Sequence, residues 1–351
     1  MLWLASGLWS SPEKEGHVKD SAGRLRRRLR KVGLSDPAIN AAWPAWWSDE
    51  ADASTSAQAE LRFSLARKLG LDPHSLLEDD EQPRFIWREE ARFKHISGEG
   101  QLELSAITSF GTALGRYLVA ATSAPAAAIE WSPATLRGAI LRRRPFVGLE
   151  DLLTVCWAFA IPAVHLRVLP CERKRMSAMA VRVGDRSAIM LAKESKYPPH
   201  IAFYLAHELG HIGLGHLTQQ PIVVDLGDAD PLSPGGDPDE VGADRFALEL
   251  LTGFPQPTVL PESAYNAREL ARVSMAVSKE LAIEPGTLAL CFGHSTGDWA
   301  TANAALKRIY PTSKPVWAQI NKLALSQLTL DELPDDAGSY LKVVLGEVSG
   351  A

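Results

Sequence analysis

The residues best suited to chemistry lie in one short segment, Tyr204-Leu-Ala-His207-Glu208-Leu-Gly-His211-Ile-Gly-Leu-Gly-His216. On an α-helix, His207 and His211 share a face and stand about 6 Å apart along the axis. Two imidazoles so placed can fill two corners of a tetrahedral Zn²⁺ site. Glu208 is rotated roughly 100° from His207. That direction suits a general base acting on water more than a third ligand.

A third protein ligand decides the kind of site. The metzincin pattern needs a glycine seven residues and a histidine ten residues after the first histidine. Those positions hold Leu214 and Leu217, so that pattern fails. His216 is one residue short and reads as a helix-end or core histidine with no ligand role. The alternative is a glutamate from a second helix. Glu240 follows His211 by 29 residues within Asp237-Pro-Asp-Glu240-Val-Gly-Ala-Asp244, and it shares a helical face with Asp244. Glu240 can reach the metal, while Asp244 can accept the free ring N–H of a ligand histidine and fix its tautomer. The same residues also read as a helix start. Asp237 would be the N-cap, Pro238 the first helical residue and Glu240 part of a capping arrangement. Both roles for Glu240 stay open on spacing alone.

These residues must be positioned by elements the sequence also announces. A helix is expected from about Leu149 to Ala160, then a β-like run Val164–Leu169. Two short strands follow, Ala178–Val183 and Ser187–Leu191, joined as a hairpin through Gly184-Asp-Arg186. After Pro198-Pro199 a long helix should run from His200 to about Leu217. An acidic, Pro- and Gly-rich stretch, Asp225–Asp239, lacks calcium-loop spacing and reads as a solvated linker. A helix from Asp239 to about Leu251 ends at Gly253. Residues 1–145 read as mostly helical, with breaks at Asp36-Pro37, Asp72-Pro73, Gln82-Pro83 and Gly98–Gly100. The helix at Leu61–Leu71 presents Phe63, Ala66 and Leu69 as its apolar stripe, with Leu61 and Leu65 beside it. The last 90 residues look helical again. The expected fold class is α+β: a small antiparallel or mixed sheet packed on the His207–His211 helix and the Glu240 helix. Mostly helical regions flank it, giving boundaries near 1–145, 146–260 and 261–351.

The pattern His-Glu-Leu-Gly-His followed by Glu240-x-x-Ala-Asp-Arg-Phe-Ala-Leu-Glu-Leu-Leu resembles the ImmA/IrrE metallopeptidases, which are gluzincin-type zinc endopeptidases. The strand hairpin before the active helix fits that family, and the resemblance covers roughly residues 146–260. It implies one Zn²⁺ per chain on His207, His211 and Glu240, with Glu208 catalytic. It also implies site-specific cleavage of a protein substrate, a helix-turn-helix repressor in a stress or mobile-element response. Leu65–Asp72 resembles a helix-turn-helix remnant. Leu281–Leu288 is similar to a segment that follows the peptidase unit in some members fused to antitoxin-like domains.

The chain has 351 residues, 46% hydrophobic and 23% charged, so it can bury a sizeable core and is not a disordered or coiled-coil sequence. Its three cysteines, Cys156, Cys171 and Cys291, lack paired spacing and suit a reducing, cytoplasmic setting. A net charge of −5 and a pI near 6.0 exclude a general polycation. The apolar Met1–Trp9 segment is too short for a signal peptide or a membrane span. The basic run Arg24–Lys31 forms an amphipathic helix with Leu25, Leu29 and Val32 as its stripe. It is either a solvated face or a weak DNA contact. Arg142–Arg144 reads similarly. Trp43, Trp46 and Trp47 are expected to pack rather than stack on bases. Tyr197, His200 and His165 are the candidates for stabilising a reaction oxyanion, and Ser187–Leu191 for a sheet edge that pairs with an extended substrate. Cys171 is a candidate thiolate switch. The competing function is a non-cleaving DNA- or protein-binding regulator that uses a metallopeptidase-like domain to hold a partner. A structural zinc site would need a fourth protein ligand, usually from paired cysteines that this chain lacks.

Overall fold

The computed structural model describes residues 21–87, 98–123, 132–172, 176–225, 237–259, 266–312, 315–334 and 336–347. Met1–Trp9 and most of the acidic Asp225–Asp239 stretch lie outside them. The first region holds helices α1 (Ser21–Lys31), α2 (Asp36–Ala42), α3 (Asp49–Asp52), α4 (Thr55–Leu69), α5 (Pro73–Leu77) and α6 (Gly98–Ala120). Then come α7 (Pro133–Leu141), α8 (Leu149–Ala158) and strands β1 (Ala163–His165), β2 (Ala178–Val183) and β3 (Arg186–Leu191). Helices α9 (Pro198–Gly213) and α10 (His216–Gln219), strand β4 (Ile222–Asp225) and helix α11 (Pro238–Thr252) complete the central part. The chain continues through α12 (Ala267–Leu281), α13 (Pro285–Thr296), α14 (Trp299–Ile309), α15 (Val316–Gln327) and α16 (Ala337–Val344). The fold is α+β, and no helix among the described residues is long and apolar enough to cross a membrane.

The strands pair in the order β1-β3-β2-β4, with β1 parallel to β3 and the other pairs antiparallel. The hairpin forms as expected, turning through Gly184 at φ +65°. β2 and β3 read as nearly continuous apolar runs because both sheet faces are covered. Ala163, Ala178, Ile189 and Leu191 join one core with α8, α9 and α11, while Val164, Met179, Val181 and Met190 join the other. That second face rests on α6. A Cβ on Gly111 would collide with the Met179 thioether, so the helix lies directly on the strand. Gly98–Gly100 therefore begins a long helix instead of breaking one.

Several expectations are corrected. Of Val164–Leu169 only Val164 and His165 are strand, joined in β1 by Ala163, because Arg167 N–H turns away to the Val344 carbonyl at 2.9 Å. The outer edge of β1 is closed by Asn321 of α15. Its side chain accepts from His165 N–H at 2.8 Å and donates to the His165 carbonyl at 2.7 Å. β3 is consequently central, so Ser187–Leu191 is no sheet edge. The helix expected to reach Leu217 stops at Gly213. Gly215 adopts φ +78° there and redirects the chain into α10.

The N-terminal helices pack on the far face of the sheet. The largest core runs from Leu25 of α1 through β2 and β3 to Leu345 after α16. Buried Lys68 joins this region to the C-terminal end. It donates to Asp336 at 2.7 Å and to the Ala42 carbonyl at 3.2 Å, while the Tyr340 hydroxyl donates to the Lys68 carbonyl. With Lys68 satisfied, α4 buries a lysine and leaves Phe63, expected in its stripe, 38% exposed. Arg137 of α7 donates to the Leu250 and Leu251 carbonyls and holds the last turn of α11.

Gly70 ends α4 at φ +69°, where a Cβ would collide with the Ser109 carbonyl of α6. Gly70→Ala combines left-handed strain of roughly 1–2 kcal/mol with overpacking of similar size. The variant should lose about 3 kcal/mol in urea unfolding, and an unchanged midpoint would contradict this packing.

Candidate metal centre

Helix α9 starts at Pro198-Pro199, where the missing N–H groups cost nothing, and carries His207, Glu208 and His211 into the interior. All three are buried. Helix α11 is capped by Asp237, whose carboxylate accepts from Asp239 N–H, and it closes on Gly253 at φ +86°. The two helices meet where Gly210 faces Ala243. A Cβ on Gly210 would stand 3.0 Å from Ala243 Cα and 3.1 Å from its carbonyl oxygen, tighter than ordinary contact.

That approach brings Glu240 and Asp244 onto the histidine face. Glu240 Oε2 lies 3.2 Å from His207 Nε2, and Oε1 lies 3.7 Å from His211 Nε2. The two Nε2 atoms are 3.0 Å apart. A tetrahedral site with arms of about 2.0–2.1 Å has edges of about 3.3 Å, so these separations bracket it. Ligand atoms from His207, His211 and Glu240 all fall within 4.8 Å of one another, and the group could hold a metal ion. Glu240 turns to the rings and leaves capping to Asp237.

Asp244 Oδ1 is 2.8 Å from His207 Nδ1, the separation of a strong charge-assisted hydrogen bond. Burial disfavours a charged His207, but hydrogen bonds from its ring to Asp244 and Glu240, with the nearby Glu208, carry its pKa up to about 10. Burial likewise opposes the Glu240 carboxylate, yet His207 and His211 hold its pKa well below the usual range.

Glu208 is wholly buried, and neither carboxylate oxygen has a hydrogen-bond partner among the described residues. Burial pushes its pKa well above the ordinary value; His207 opposes this, and Asp225 and Glu240 add to it. A buried carboxylate without partners costs several kcal/mol, so its two oxygens suit a water, a proton or a ligand group delivered at the site. The donor chemistry and these bare oxygens both fit a metal with a base beside it.

One histidine that spacing dismissed stands against the site. His216 Nδ1 is 3.0 Å from His211 Nδ1, and its Nε2 is 3.6 Å from Asp239 Oδ1. It was invisible to helical periodicity because Gly215 breaks α9; a glycine one residue before a histidine was the available signal.

The other candidates have structural settings. Tyr197 precedes α9 and packs beside Tyr310, and His200 meets Ser195 Oγ at 3.1 Å. His165 lies between the Leu166 and Lys193 carbonyls at 3.1 and 3.0 Å. Cys171 is buried, with its thiol toward the Glu103 carbonyl. In the Arg24–Lys31 helix, Arg26 lies over Trp43 and donates to Asn40. Arg28 donates to the Ser75, Glu78 and Glu81 carbonyls, and Arg30 pairs with Asp36. Three of its arginines thus serve the protein's own packing.

No protein-family model matches the chain, and no curated protein sequence matches it.

His165 gives a pH test of the scaffold. Burial lowers its pKa, opposed in part by the Lys193 carbonyl and Glu194. Below an unfolded pKa of about 6.5, the unfolded chain then binds more protons than the folded one. Stability should fall as pH drops from about 6.5, by up to about 1.4 kcal/mol per pH unit from this group. His165→Gln should flatten that part of the slope between pH 7.5 and 5.5. Identical slopes in both proteins would refute the assignment.

Proposed function

We propose that this chain is a zinc-dependent endopeptidase that hydrolyses a peptide bond in a protein substrate. The observation that carries the reading is the pairing of three metal-competent donors with a buried carboxylate that has no other partner among the described residues. His207 would give up the proton it otherwise holds when a metal binds, and with His211 it would offer ring nitrogens beside a carboxylate oxygen of Glu240. Zinc, when bound, supplies Lewis acidity that polarises a carbonyl and makes water acidic near neutral pH. Glu208 takes the proton from the attacking water and passes it to the leaving amine nitrogen. Asp244 holds His207 through Nδ1, so that Nε2 faces the centre. Burial of both histidines keeps bulk water from competing for their nitrogens.

The competing regulator reading has no use for a bare, buried carboxylate at this place, because a partner-binding surface gains nothing from its desolvation. A closed structural site is disfavoured by the three-donor set, whose carboxylate member is 42% exposed on its side chain. The resemblance noted from the two helical motifs favours a regulatory protein as substrate, specifically a helix-turn-helix repressor. The three cysteines, all free and buried, favour a reducing, cytoplasmic site of action.

Protein purified without added metal should carry about one zinc per chain, and His211→Ala should lose it. Glu208→Gln should keep the zinc and lose about 10²–10⁴-fold in cleavage of a quenched-fluorescence peptide library. Full cleavage by Glu208→Gln would remove Glu208 as the base. Absence of zinc after resupply would overturn the enzyme reading.

A further inference from the structure

We propose that His216 is a positioning residue for His211: it accepts the Nδ1 hydrogen of that ring and, with Asp239 behind it, fixes which nitrogen faces the metal. This assignment rests on the metal-centre reading above. It follows from hydrogen counting on one buried pair. His211 is completely buried, and its Nδ1 stands 3.0 Å from His216 Nδ1. The Nε2 pair of His207 and His211 is equally close but belongs to the donor group with Glu240; the Nδ1 pair lies outside that group, so there one ring donates a hydrogen and the other accepts it. The Nε2 of His211 points at Glu240 and His207, where a metal ligand must present a lone pair. The ring hydrogen of neutral His211 therefore sits on Nδ1, and His216 must accept it.

The same bookkeeping places the His216 hydrogen on Nε2. That atom faces Asp239 Oδ1 at 3.6 Å, an electrostatic contact longer than a hydrogen bond. The chain of atoms is thus His211 Nδ1–H to His216 Nδ1, then His216 Nε2–H toward a carboxylate in the first turn of α11. The backbone is shaped to permit it. Gly215 at φ +78° turns the chain back so that His216, five residues after His211, reaches a ring that helical spacing would put out of range. The His216 ring lies against α11 at Gly242, where a Cβ would stand 3.6 Å from His216 Cε1, an ordinary contact.

The two ligand histidines are therefore supported unequally. Asp244 presents a carboxylate to His207, whereas His216 presents a ring nitrogen to His211. Losing such a partner typically weakens metal binding 10–100-fold.

The test uses the full chain and zinc itself, with affinity read by competition against a chromophoric chelator. Two polar variants separate hydrogen-bond geometry from packing. His216→Asn places an amide oxygen near the original Nδ1 position and should bind zinc within about threefold of wild type. His216→Gln carries its oxygen one carbon further and should bind about 10–100-fold more weakly. Melting of the metal-free proteins should be alike for the two variants. Wild-type affinity in His216→Gln, or equal weakening in both variants, would overturn the positioning role while leaving the metal centre intact. Failure of wild type itself to take up zinc would overturn the centre, and this role with it.

Discussion

The close crossing of α9 and α11 is the constraint on which the site depends. Gly210 and Ala243 allow the two backbones to approach until a single added Cβ would be in forced contact. Helix pairs normally stand 8–10 Å apart, set by the side chains at the contact. Small residues at the contact let this pair pack closely. The distances between α9 and α11 at the centre inherit that spacing: Glu240 to both ring nitrogens and Asp244 to His207. Side chains on rigid helices cannot make up for a missing ångström without leaving their rotamers. The glycine inside the histidine motif is thus as much a part of the site as the histidines.

Helix α9 is held from its other side by the sheet. Ile201, Ala202, Leu205 and Leu209 pack into the core that contains Ala178, Ile189 and Leu191. The opposite sheet face is in turn supported by α6. Because the strands are covered on both faces, the sheet has no freedom to yield under α9. Against this packed background Glu208 is buried with no partner for its carboxylate among the described residues, a cost the rest of the core must offset.

The legible parts were those governed by local geometry. His207 and His211, or Glu240 and Asp244, share faces because an α-helix repeats every 3.6 residues, and the hairpin around Gly184 announced itself by its turn. Relations that depend on distant contacts were harder to read. Strand β4 is only Ile222–Asp225, and its identity comes from pairing with β2 more than 40 residues earlier. Phe63 lies exposed while Lys68 is buried because Asp336 and the Ala42 carbonyl, remote in sequence, satisfy the lysine. His216 was given no ligand role because it falls one residue short of the metzincin position. It stays outside the donor group, and the left-handed Gly215 is what brings its ring to His211.

Glu240 shows why capping and ligation are poor alternatives. A first-turn glutamate is favoured by the positive end of its helix whichever way its side chain points. Asp237 already accepts the Asp239 N–H, so the carboxylate of Glu240 is not needed at the backbone. It can turn outward to His207 and His211 and still benefit from the field of α11. The cost of holding an ionised carboxylate beside buried rings is thereby reduced before any cation arrives. An acid-rich helix start facing two histidines is then a single device. Of the charges that stabilise α11 at its N-terminus, Glu240 joins the donor set, and the Asp237 cap leaves it free to do so.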